Sequence, residues 1–163
     1  MSTPRLYPIP RGGAGRLWTM AAPDGGDRLG EQLELLSGAG VSTLVSLLDE
    51  GEAAVLGLAA EGTAARRAGV RFVQLPTSDL GVPESSAALA VAREVREELL
   101  NGKGVAIHCR AGIGRSSLLA AVVLRLEGVR PAEAWSTIGR ACGVRVPETQ
   151  AQRDFLDDLD TLG

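Results

Sequence analysis

Histidine is nearly missing from this chain of 163 residues, where His108 stands alone. One histidine and two cysteines, Cys109 and Cys142, fall short of the four ligands of a structural zinc site. No metal is therefore expected. Two cysteines also make no disulfide framework, so the default compartment is the cytoplasm, where free thiols persist. The opening MSTPRLYPIP has no apolar run, and no signal peptide is expected from it. Nowhere is there the run of about 18 apolar residues that a membrane span needs. Of 17 basic side chains only Lys103 is a lysine, and 20 acidic residues leave a net charge of −3. That balance gives no global attraction to nucleic acid or to an anionic membrane, so neither is an expected partner. Any anion handled here must be held by a local site. What remains is 45% hydrophobic, enough for the core of one domain.

Residues 1–15, rich in proline, glycine and arginine, read as an extended arm, and 16–163 as the single domain. Leu17–Ala21 is a strand candidate. The turn 23–26 follows, and Asp27 is placed to cap a helix with apolar positions at Leu29, Leu33 and Leu36. Val41–Leu48 and Val70–Leu75 read as buried strands of a sheet covered on both faces. Glu52–Ala68 is helical in composition, weakened by Gly57 and Gly62. Pro83 suits a first helical turn, and Glu84–Leu100 is a long amphipathic helix stopped by Asn101-Gly102. Val105–Ile107 is a short strand and Ser116–Glu127 an apolar helix. Pro131 opens a helix to about Cys142, and Pro147 opens the last, to about Leu162. Strands alternating with helices predict an α/β fold, a central, mainly parallel sheet flanked by helices. In such sheets ligands sit beyond the carboxyl ends of strands, which directs attention to the loops after Leu75 and Ile107.

The second of these loops carries the chemistry. In Val105–Ser117, VAIHCRAGIGRSS, a strand runs into His108-Cys109, then a loop with Gly112 and Gly114, then Arg115 and a helix. Glycines allow a tight turn with N–H groups pointing inward. The helix N-terminus favours an anion, and the guanidinium of Arg115 is a planar fork matched to phosphate oxygens. Cys109 begins the loop, so its sulfur lies in the same positive field, which favours the thiolate. A nucleotide-binding loop would need a lysine where Arg115 stands.

The stretch HCRAGIGRSS resembles the phosphate-binding loop of the cysteine-dependent protein tyrosine phosphatase superfamily at His108, Cys109, Gly112, Arg115 and Ser116. The small size points to its compact dual-specificity-like branch. The resemblance implies a phosphotyrosine protein phosphatase-like fold, no cofactor, and a monomer by default. It implies Cys109 as nucleophile, with Arg110, Ala111, Gly112, Ile113, Gly114 and Arg115 forming the phosphate cradle. Asp79, thirty residues before Cys109 on the loop after a strand, is implied as general acid and then general base. A turn or helix-capping role is its alternative. Ser116 is implied to hydrogen-bond the cysteine sulfur, and His108 to support the loop. Gln152 fits a water-positioning glutamine of the family, against the alternative of an exposed helix glutamine; Glu148 departs from the family pattern. Asp49, Glu50 and Glu52 cluster after a strand, and one of them could orient Arg115. Cys142 reads as a core residue, with an oxidative disulfide to Cys109 as the alternative.

The implied reaction is hydrolysis of phosphate monoesters, on phosphotyrosine, phosphoserine or phosphothreonine in a protein, through a phosphocysteine. Three other readings stand beside it. One is a phosphatase of a non-protein substrate, such as a phosphoinositide or another small phosphate ester. Another is a phosphate-binding module with little turnover. The third is a rhodanese-like or arsenate-reducing thiol enzyme, whose chemistry would not require Asp79.

Overall fold

The protein is described here by a computed structural model covering residues 3–159. Five strands form one sheet in the order β1-β2-β5-β3-β4. They are β1 (Tyr7–Pro8), β2 (Arg16–Met20), β3 (Thr43–Ser46), β4 (Arg71–Gln74) and β5 (Gly104–His108). Only β1 is antiparallel to its neighbour; β2, β5, β3 and β4 run parallel. The helices are α1 (Leu29–Gly38), α2 (Glu50–Val55), α3 (Glu61–Arg67), α4 (Ser85–Leu100), α5 (Arg115–Leu126), α6 (Pro131–Cys142) and α7 (Gln150–Asp158). The expected α/β architecture with a central, mainly parallel sheet is the one observed.

Side chains alternate across a strand, so the central strand β5 feeds two cores. Val105 and Ile107 join α4, α5, α6 and α7 on one face. Ala106 joins α1 and α3 on the other, with Trp18, Met20 and Leu44 from neighbouring strands. His108 keeps this alternation and therefore faces the α3 side. Helix α5 is buried along Arg115–Leu124, which explains why its sequence is apolar nearly all round. The segment expected as an arm is extended at Tyr7–Pro8 and packs on the body, with Ile9 buried and Arg11 hydrogen-bonded to Glu127.

Several local expectations are corrected. The helix expected over Glu52–Ala68 is two helices, because Gly57 takes a left-handed conformation (φ 73°) between them. Strand β4 is not buried on both faces; it is the sheet edge, with Arg71 and Gln74 exposed. Asp27 caps no helix: it lies inside a 3-10 turn, Gly26–Arg28, that leads into α1. The cap of α4 is Glu84, whose carboxylate accepts from the Ser86 and Ala87 amides, and Pro83 lies outside the helix. The last helix starts at Gln150, capped by the Thr149 hydroxyl, and not at Pro147. Its expected end near Leu162 lies outside the described residues. Among the described residues, no helix is long and apolar enough to cross a membrane.

Candidate active site

The carboxyl ends of β3, β4 and β5 lie together, and the loops leaving them converge. The loop from Cys109 to Gly114 joins β5 to α5. It is pinned at its start, where the Ala22 amide donates to the Arg110 carbonyl at 3.1 Å. Gly112 has φ 76°, and a Cβ there would lie 2.7 Å from the Met20 carbonyl carbon and the Ala21 amide nitrogen. Both the handedness and the close approach of the β2 end require glycine. A Cβ on Gly114 would collide with the Glu148 carboxylate and sit 3.0 Å from Gln152 Nε2. The loop is thus clasped between the end of β2 and the start of α7.

Cys109 is buried, and its Sγ lies 3.3 Å from Ser116 Oγ in the first turn of α5. The hydroxyl can donate to the sulfur when the sulfur is ionised. Arg115 is buried and held by a two-pronged pair, Nη1 to Glu52 Oε1 at 2.6 Å and Nη2 to Glu52 Oε2 at 3.0 Å. Nη1 also donates to the Thr77 carbonyl at 2.8 Å. Of the three candidate carboxylates, Glu52 is therefore the one that orients Arg115. Asp49 instead caps α2: it accepts from the Glu52 amide, and its own amide donates to Glu52 Oε1. Glu50 is exposed. The Arg115 hydrogen bonds hold the Glu52 carboxyl below its ordinary range, against the opposing effect of burial. Burial works to lower the Arg115 pKa, but the Glu52 hydrogen bond and the negative charges of Cys109, Glu52 and Asp79 outweigh it and raise it.

The loop after β4 brings Asp79 to the rim. Its side chain is 61% exposed, and Oδ1 is 3.4 Å from Arg115 Nη2. The adjacent Leu80 has φ 62°, an uncommon conformation for a branched apolar residue and a sign of local strain. Gln152 is fully buried, so its alternative as an exposed glutamine is excluded. Its Oε1 accepts from the Glu148 amide at 3.0 Å, and Nε2 donates to the Gly81 carbonyl at 3.4 Å. It links the Asp79 loop to α7 beside Gly114.

Beneath the loop lies a pair that residue pattern did not reveal. His108 Nε2 is 2.6 Å from Glu61 Oε2, and both residues are buried. His108 Nδ1 lies 3.1 Å from the Cys109 carbonyl, so it must donate there. One further proton is shared between Nε2 and the Glu61 carboxyl. Glu61 is the first residue of α3, where a glutamate is ordinary, so the sequence carries no signal of its burial. Cys142 is half-buried on α6, with Sγ 3.3 Å from Thr19 Oγ1, and both cysteines are free thiols.

The arrangement places a sulfur, a fixed guanidinium, a hydroxyl, a helix N-terminus and a carboxyl around one small space. A phosphoryl group there would meet a nucleophile, positive charge for its oxygens and a proton source. Comparisons with known proteins give the family and the fold. Residues 13–128 match the family described as "Polymorphic toxin system, DSP-PTPase phosphatase". A mouse protein, protein tyrosine phosphatase domain-containing protein 1, is 34% identical over 100 residues, which span 56% of this chain and 13% of the mouse protein. The chain therefore matches only a small part of that relative's length. Among solved structures, kinase associated phosphatase with its catalytic-site cysteine replaced by serine superposes with a TM-score of 0.88 at 19% identity, covering 99% of this chain and 96% of that one. Tk-PTP in its active form gives 0.75 at 24% identity, covering 95% and 97%. PTPMT1 in complex with PI(5)P gives 0.71 at 20%, covering 90% and 93%.

Proposed function

The chain belongs to the DSP-PTPase phosphatase family of polymorphic toxin systems, and from that premise we propose that it hydrolyses phosphate monoesters on proteins through a phosphocysteine. The observation that carries this reading is the convergence of Cys109 Sγ, Ser116 Oγ and the Glu52-held Arg115 at one loop, with Asp79 at its rim. The Cys109 thiolate attacks phosphorus. An S–P bond forms as the P–O bond to the leaving group breaks. Asp79, as the carboxylic acid, gives its proton to the departing oxygen. Arg115 and the loop N–H groups of residues 110–115 hold the three equatorial oxygens, where negative charge accumulates. In the second step water attacks phosphorus, Asp79 takes the water's proton, and the S–P bond breaks. Ser116 donates to the departing sulfur, and inorganic phosphate leaves. Gln152 sits beside Gly114, where it can steady the Asp79 loop and the attacking water.

Protein rather than lipid substrates are the proposed class, supported by the kinship with a protein tyrosine phosphatase domain. A cytoplasmic setting fits the two free thiols. The test is the pH–rate profile for a small aryl phosphate. The rate should rise as the sulfur ionises and fall as Asp79 ionises, and Asp79→Asn should remove the alkaline fall. A rate that climbs steadily into alkaline pH in the natural protein would overturn the assignment.

A further inference from the structure

A groove of about 350 Å³ lies between one face of α6, the segment 144–146 and the first turn of α7. Arg140, Arg145 and Arg153 line it, together with Trp135, Val144 and Val146. Among the described residues no carboxylate lines it, and none of the three arginines forms an ion pair. All three are exposed. None of the acidic side chains on the same elements lines it: Glu133 lines a different groove, Glu148 faces Gly114, Asp154 accepts from Gln150 Nε2, and Asp157 and Asp158 lie further along α7. In the groove wall Trp135 is buried, and its indole N–H has no hydrogen-bond partner. Three uncompensated cations on a chain of net charge −3 are a local feature that the overall charge hides.

Its place in the fold ties it to the phosphate loop. The segment that leaves α6 through Val144, Arg145 and Val146 delivers Glu148 to Gly114. The turn of α7 that buries Gln152 against Gly114 carries Arg153 into the groove. The groove therefore shares two of its walls, the segment 144–146 and the first turn of α7, with the residues that clasp Gly114. The walls are mixed: cationic at three points and apolar at Trp135, Val144 and Val146. That pattern fits an acidic peptide, with carboxylates for the arginines and side-chain carbon for the apolar wall, better than a compact polyphosphorylated headgroup.

We propose that this groove is a subsite for the acidic flank of a phosphorylated protein substrate, and that it sets sequence preference. The proposal rests on the phosphatase reading above. The test uses two phosphopeptides that share one phosphorylated residue, one flanked by Asp and Glu and the other by Asn and Gln. The readout is the ratio of their kcat/KM values within each protein, so general changes in turnover cancel. The natural protein should favour the acidic peptide about tenfold at low salt, as expected for two or three exposed ion pairs. The preference should shrink as salt rises. In the triple variant Arg140→Gln, Arg145→Gln, Arg153→Gln the ratio should fall to about one. A natural ratio near one, or a ratio that survives in the triple variant, overturns the proposal. So does a loss in the triple variant confined to a water-soluble phosphoinositide. Binding of the same peptides to Cys109→Ser separates the two claims. Acidic preference in binding without turnover of any phosphate ester by the natural protein would sink the phosphatase reading and keep the subsite. Turnover without that preference would do the reverse.

Discussion

Replacing Glu52 by glutamine tests what holds the buried Arg115. The pair is two-pronged, at 2.6 and 3.0 Å, with side chains 2% exposed for Arg115 and 13% for Glu52. Glutamine is accepted at the third position of a capping box, so the Asp49 cap of α2 survives and the change isolates the arginine. The variant keeps one acceptor oxygen but turns an amide NH2 toward a buried cation. Breaking a buried pair on one side costs about 3–5 kcal/mol. Thr77 still accepts from Arg115, and water reaches the Glu52 edge, so the lower end applies, about 3 kcal/mol. The pH dependence follows from the lowered pKa of Glu52. A carboxyl depressed in the folded state contributes fully above its unfolded value of about 4.3, and the contribution is lost as pH falls through the folded value. Urea denaturation at pH 7 should show the full gap between natural protein and Glu52→Gln, and the gap should narrow steadily below about pH 4. Turnover of an aryl phosphate should fall about 10²–10³-fold, as when an oxyanion donor is misplaced. Exposed Glu50→Gln should shift stability by less than about 0.5 kcal/mol. Equal stability of Glu52→Gln and natural protein at pH 7, or a gap that stays constant with pH, would refute the reasoning.

Gly112→Ala should cost about 2 kcal/mol or more, from its left-handed backbone and the 2.7 Å approach to Met20 and Ala21. A urea midpoint equal to that of the natural protein would contradict the clasped loop. Glu61→Ala leaves His108 buried beside an unfilled acceptor position, and a loss of about 3 kcal/mol is expected by thermal or urea unfolding. Glu61→Gln, which keeps the volume and can still pair with Nε2, should recover part of it, and equal losses in the two variants would show that neither volume nor a neutral hydrogen bond replaces the carboxylate.

Legibility followed the range of the interaction. The strand, turn and helix start of HCRAGIGRSS, with its thiol and cation, could be placed because they are contiguous in sequence. Helix α6 was bounded by local signals too, with Pro131 in its first turn and Gly143 in the left-handed cap. Glu52 could not be chosen over Asp49 and Glu50, because the choice depends on where α2 docks against Arg115, 63 positions away in the chain. Glu61 and Gln152 look like ordinary helix residues; the neighbours that bury them come from β5 and from the Asp79 loop. Strand β4 has the apolar content of a central strand, and its edge position is set by sheet order. The break between α2 and α3 was signalled by Gly57, but the close approach of Gly26, whose amide donates to the Gly57 carbonyl, is a tertiary contact.

The central claim is that phosphate passes through the sulfur of Cys109. The most direct measurement is a rapid quench of the Asp79→Asn protein with an aryl phosphate whose leaving group needs no protonation, followed by peptide mass analysis. Formation of the intermediate then continues while its hydrolysis lacks the base. One phosphoryl group on the peptide containing Cys109, located on that residue and absent from Cys109→Ser, is the predicted result. Phosphoryl transfer to another residue, or full turnover by Cys109→Ser, would contradict it.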